Sequence, residues 1–188
     1  MSLRVGCVLT TALAFCFLGC STATAPVTAN LDVSPLNPVY TTVLRSLGIG
    51  AVVQRELATD WPADYDHRAA HGLGLPVELL VELRLVTATA RPVVAADLPL
   101  GVEAVPAHRI GELFAGGREP GWQAFEGAFP GVNGIVRLSG VLPLPSSHRV
   151  LVYASHSLGC LNGEGRFYIL KRAKSGWRIV RSISAWVS

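Results

Sequence analysis

The last 55 residues constrain the fold of this chain most. Residues 134–142, 148–157, 165–173 and 176–187 are rich in β-branched and aromatic side chains and carry no proline except at their ends. Short turn-forming segments separate them: residues 143–147 (Pro-Leu-Pro-Ser-Ser), Asn162-Gly163, and Lys174-Ser175-Gly176. Asn-Gly is a strong hairpin signal because both residues tolerate positive φ. Connections this short join antiparallel neighbours, so the segment predicts a four-stranded antiparallel meander.

Helical spacing dominates before it. Asn37-Pro38 opens a helix with Val39, Tyr40, Val43, Leu44 and Leu47 on one face, and Gly48 closes it. Residues 51–58 read as a strand. Residues 59–74, with Trp61-Pro62, three Asp, two His and two Gly, read as a long loop. Pro76 starts a second helix that ends at Arg91-Pro92. Residues 93–108 hold at most one short strand between Pro99, Gly101 and Pro106, and residues 109–115 hold a helical turn. Residues 121–129 form a short helix carrying Trp122, Phe125 and Phe129, whose spacing is that of core residues. The expected class is α+β, with N-terminal helices packed on the four-stranded meander as one domain over residues 31–188.

The N-terminus predicts export. Arg4 precedes a 14-residue apolar run, Val5 to Leu18, followed by Gly19-Cys20. The run is shorter than the about 20 residues of a membrane span and has the layout of a signal peptide, residues 1–19. Gly19-Cys20 resembles the end of a bacterial lipoprotein signal, which implies lipid attachment at Cys20, although Phe17 and Leu18 depart from the usual pattern. Residues 20–30 then form the attachment point and a flexible tether. The alternative is cleavage after Ala23-Thr24-Ala25 and a soluble secreted protein. In either case Cys160 has no cysteine partner in the mature chain, so the fold rests on its core.

Charge is divided along the chain. Residues 21–136 hold 7 Lys/Arg against 12 Asp/Glu, whereas residues 137–188 hold 8 against Glu164 alone. With Lys174-Ser175 as a hairpin tip, Lys171 faces Arg178, Arg172 faces Trp177, Leu170 faces Ile179 and Tyr168 faces Arg181. Like charges directly opposite are unfavourable. Lys171, Arg172, Arg178 and Arg181 are therefore the candidate binding residues. Their partner would be an anionic lipid surface or an acidic envelope polymer; otherwise they are a solvated face. Nucleic acid does not fit behind an export signal, and nothing identifies a protein partner.

The C-terminal third resembles an uncharacterised group of secreted and lipoprotein bacterial proteins. The resemblance rests on Trp122, Phe125, Phe129-Pro130-Gly131, Gly134, Leu138-Ser139, Val150 to Tyr153, Gly163-Glu164-Gly165, Leu170, Gly176-Trp177, Val180 and Trp186-Val187-Ser188. It implies an extracytoplasmic domain and assigns no catalytic residue. Such proteins often carry two cysteines before Gly-Glu-Gly, and here Cys160 stands alone.

Two other motifs offer chemistry. Ser155-His156-Ser157-Leu158-Gly159 resembles the nucleophile elbow of an α/β-hydrolase, with Ser157 as the nucleophile. Against it, the first glycine is Ser155, no helix follows, and no histidine lies beyond Ser157. His67 and His71, spaced i, i+4 near Asp60, Asp64 and Asp66, would share a helix face as zinc ligands do, but the loop reading leaves them solvated. No cofactor is implied. The reading is a lipid-anchored, noncatalytic binding domain of the cell envelope, with a hydrolase at Ser157 or a metal site at His67/His71 as alternatives.

Overall fold

A computed structural model describes residues 36–188 except 49, 60, 146 and 147. Cys20, the signal and the tether lie outside the described residues. Helix α1 (Asn37–Leu47) leads to strand β1 (Ala51–Gln54), and then to helices α2 (Tyr65–Leu73) and α3 (Glu78–Thr89). A two-residue strand β2 (Ala104–Val105) precedes helices α4 (Ala107–Leu113) and α5 (Arg118–Ala128). Strands β3 (Gly134–Leu138), β4 (Leu142–Leu144), β5 (Arg149–Ser157), β6 (Gly163–Ala173) and β7 (Gly176–Val187) complete the chain.

The sheet has seven strands and is mixed, which corrects the expected four-stranded antiparallel meander. Its order is β2-β1-β3-β5-β6-β7, with β4 paired to β5. β1 runs parallel to both β2 and β3, and the remaining pairs are antiparallel. The physical reason lies in β1. Val52 and Val53 are both fully buried, but in different clusters on opposite faces of the sheet. A strand apolar on both faces belongs inside a sheet. The helical segments between β1 and β3 supply the long crossover that parallel pairing needs.

Residues 134–142 also divide, because the chain bends at Ser139-Gly140. Gly140 donates its N–H to Thr87 Oγ1 (3.0 Å), and a Cβ there would lie 3.3 Å from the Thr87 Cα. This close approach to α3 ends β3 and sends β4 along β5. Asn162-Gly163 is not a two-residue turn. Ser157 pairs with Gly163, and residues 158–162 form the loop, closed by Leu158 N–H to the Asn162 carbonyl at 2.7 Å.

The tip at Lys174-Ser175 has the expected register. Ala173 pairs with Gly176, Arg172 with Trp177, Lys171 with Arg178, and Leu170 with Ile179. Val180 then bulges, so Ile169 meets Arg181 and Tyr168 meets Ser182. The expected pair of Tyr168 with Arg181 is not formed. The bulge moves Arg181 to the other face, where its Nη1 donates to the Leu73 carbonyl at the end of α2 (2.9 Å).

Helices cover both faces. α1 packs on Val53, Val136, Leu138, Val150, Val152, Ala154, Tyr168 and Leu170. Asn37 lies within the first turn rather than capping it, and its Nδ2 donates to the Leu98 carbonyl (2.8 Å). On the other face, α2 and α3 cover Leu151, Tyr153, Phe167 and Ile169. Residues 65–73 are helical, not loop: Ala69, Ala70 and Leu73 give them a buried side, and Gly72 fits because the Ile183 side chain presses where a Cβ would be. Farther along that face, Phe125 and Phe129 of α5 and its exit turn cover Val52 and Ile135. The two helical groups do not meet over the whole sheet, and a cleft remains between them.

Candidate functional site

Strand alternation sets the cleft floor. Arg137 pairs with Ser155, and Ile135 with Ser157, so these four side chains share one face. Gly165 pairs with Ser155 and Gly163 with Ser157, which removes two side chains from the next strand. Gln54 extends the floor on β1. The cavity measures about 380 Å³ and has walls of Ile110, Phe114 and Trp122 on one side and Trp186 on another. Arg118, Cys160 and Asn162 form its rim, where Arg118 Nη1 donates to the Cys160 carbonyl (3.0 Å).

Trp186 is held in one place. Its Nε1 donates to the Tyr153 hydroxyl at 2.8 Å. A Cβ on Gly165 would lie 2.2 Å from Trp186 Nε1, and one on Gly163 would lie 3.2 Å from Trp186 Cζ3. The indole therefore lies across the two glycines. Gly163-Glu164-Gly165 was the sequence signal for this floor, since an i, i+2 glycine pair in a strand clears one face.

Ser157 lies in this cleft, but the hydrolase constellation is not assembled around it. His156 points to the opposite face, where Glu164 sits across from it and Arg166 lines the same hollow. Burial lowers the His156 pKa, with Glu164 acting in the opposite direction. Among the described residues lining the cleft there is no histidine, lysine or acidic side chain to accept the Ser157 proton.

His67 and His71 are one helical turn apart on α2, and both are exposed. Asp66 faces inward instead. It accepts from Trp61 Nε1 (2.9 Å) and from Arg84 Nη2 (3.1 and 3.2 Å). No group of three or more potential metal-binding side chains occurs among the described residues.

The four candidate cations are divided between faces and roles. Arg172, opposite Trp177, lies on the α1 face of the sheet, and Arg181 is engaged with the end of α2. Lys171 and Arg178 remain opposite each other on the other face. Sequence reasoning missed Arg149, which pairs with Lys171 from the far side. Arg149, Lys171 and Arg178 thus form one row across β5, β6 and β7, with adjacent strands roughly 4.8 Å apart. Among the described residues none of the three has an ion pair. The β5–β6 connection spans the loop at residues 158–162, so the Arg149–Lys171 pairing is visible only once that loop length is known.

No helix among the described residues is long and apolar enough to cross a membrane. No family model, curated protein or solved structure matches the chain.

Proposed function

We propose that this chain is a noncatalytic binding domain of the cell envelope, held at a membrane through lipid on Cys20, that rests on anionic lipid headgroups. The observation that carries the reading is the row Arg149–Lys171–Arg178. Three cations side by side on adjacent strands, with no acidic partner among the described residues, repel one another. A surface of closely spaced phosphates relieves that repulsion, and the row lies toward the β6–β7 tip with Lys171 and Arg178 exposed and Arg149 half-buried. The tether of residues 21–30 would allow this, since it reaches about 33–36 Å when extended.

The anchor and the surface are tested separately. Mass spectrometry of the mature N-terminus should find a diacylglyceryl cysteine at position 20; an unmodified terminus near Thr24 or Pro26 would overturn the anchor. For the surface, the unlipidated Cys20→Ser chain should sediment with phosphatidylglycerol-containing vesicles and not with neutral phosphatidylcholine, and added salt should release it. Replacing Arg149, Lys171 and Arg178 with Gln should abolish sedimentation. Equal binding by that variant, or binding to soluble polyphosphate without vesicle binding, would remove the lipid reading.

A further inference from the structure

We infer that the cleft between the two helical groups is a binding site for a small saccharide. Three features combine to support this. The first is an aromatic platform. Trp186 is fixed across Gly163 and Gly165 by its hydrogen bond to Tyr153, and Trp122 stands in the wall against Phe114 (ring centroids 5.2 Å, edge-on). An indole face held in this way offers apolar area at little entropic cost, and the C–H face of a sugar ring packs on such a surface.

The second feature is the polar set between those rings. Gln54, Ser155, Ser157 and Asn162 are neutral side chains that both donate and accept, and two arginines, Arg137 on the floor and Arg118 at the rim, add donors. Vicinal hydroxyls, each a donor and an acceptor, match amides and hydroxyls more closely than an aliphatic chain or a metal ion would. The third is size. The cavity of about 380 Å³ lies near the small end of ligand pockets, the scale of a metabolite rather than a polymer segment. Binding rather than cleavage follows from the lining, because glycoside hydrolysis needs two carboxyl groups and none is carried by a side chain of the described lining residues.

The test uses the full chain with glucose, N-acetylglucosamine and glucuronate at millimolar concentrations, read by saturation-transfer NMR and by tryptophan emission. At least one sugar should receive saturation and shift the emission of Trp122 and Trp186. Ser157→Ala and Asn162→Ala should each weaken that binding at least about tenfold, the loss of a neutral hydrogen-bonding pair in a small-ligand site. Trp122→Ala should abolish it, with a thermal melt to show that each variant is folded. Asn162 is exposed on the rim, so its replacement keeps the test informative if the tryptophan variant unfolds. Failure of all three sugars to bind would overturn the inference. So would binding of benzoate in their place, or sugar binding unchanged in Asn162→Ala and Ser157→Ala.

Discussion

Gly165→Ala tests whether the Trp186 platform is as tightly fixed as its surroundings imply. The new Cβ would lie 2.2 Å from Trp186 Nε1, 2.3 Å from the Tyr153 hydroxyl and 2.6 Å from Trp186 Cε2. Tyr153 cannot retreat. It is 1% exposed and packed between Trp61 and Phe167, with ring centroids at 4.8 and 5.0 Å. Trp186 must therefore lift away and break its hydrogen bond to the phenol. Overpacking costs about 1–3 kcal/mol, and the lost hydrogen bond about 0.5–1.5 kcal/mol. The reduced entropy of the unfolded alanine chain offsets about 0.4–1 kcal/mol. The expected net loss is about 0.5–4 kcal/mol, read from urea midpoints at constant m. Gly127→Ala is the matched control. It lies on α5 with nothing within 4 Å of its Cβ position, and it should gain about 0.5–1 kcal/mol. A Gly165→Ala loss below about 0.5 kcal/mol, or a gain like that of Gly127→Ala, would refute the reasoning.

Three further outcomes follow from other sites. Arg84→Met removes both guanidinium bonds to buried Asp66 and the donors to the Thr59 and Trp61 carbonyls. A thermal melt should show a loss of about 3–5 kcal/mol, and a loss below about 1 kcal/mol would contradict the geometry. Asp97, gripped by both Arg91 nitrogens (2.6 and 2.8 Å) and by Val94 N–H (3.0 Å), has its carboxyl held below the usual range, chiefly by the Arg91 hydrogen bonds. Its folded pKa is depressed, so its contribution is present at neutral pH and is lost as pH falls from about 4 through the folded value. Urea midpoints from pH 7 to pH 3 should fall less steeply in Asp97→Asn than in the parent chain. Lys171→Gln removes a charge flanked by two like charges and should stabilise the fold slightly, by at most about 1 kcal/mol, in urea unfolding while weakening vesicle binding; a destabilised variant would mean that the row is not repulsive.

What could be read from the sequence was local. Helix α1 was legible because Pro38, the apolar face and Gly48 lie within one segment. The β6–β7 tip was legible for the same reason, and its register holds as far as Leu170 with Ile179. Beyond that point one bulged residue, Val180, reverses the face assignments from Arg181 to Ser184, and no local preference announces it. Helix α2 was hidden by Trp61-Pro62 ahead of it and by Gly72, which reads as a breaker but in fact admits Ile183. The parallel strands were hidden because their partners lie far away in sequence: Val53 aligns with Ala104 on one side and Val136 on the other. The cleft shares that origin, since Gln54, Arg137 and Ser155 meet only through the crossover.

The second bulge, at Ala185, returns the phase of β7 two residues behind a simple hairpin count, so that Trp186 meets Gly165. The paired interruptions also act on the strand's outer side. β7 is the longest strand and the open rim of the sheet, the place where a second chain would add its own strand. A twice-kinked rim presents no continuous ladder of amide groups to copy, and the opposite rim, β2, is only two residues long. The two sides of the sheet thus offer little to a further strand, and crowded copies of the chain would not readily template fibres from it.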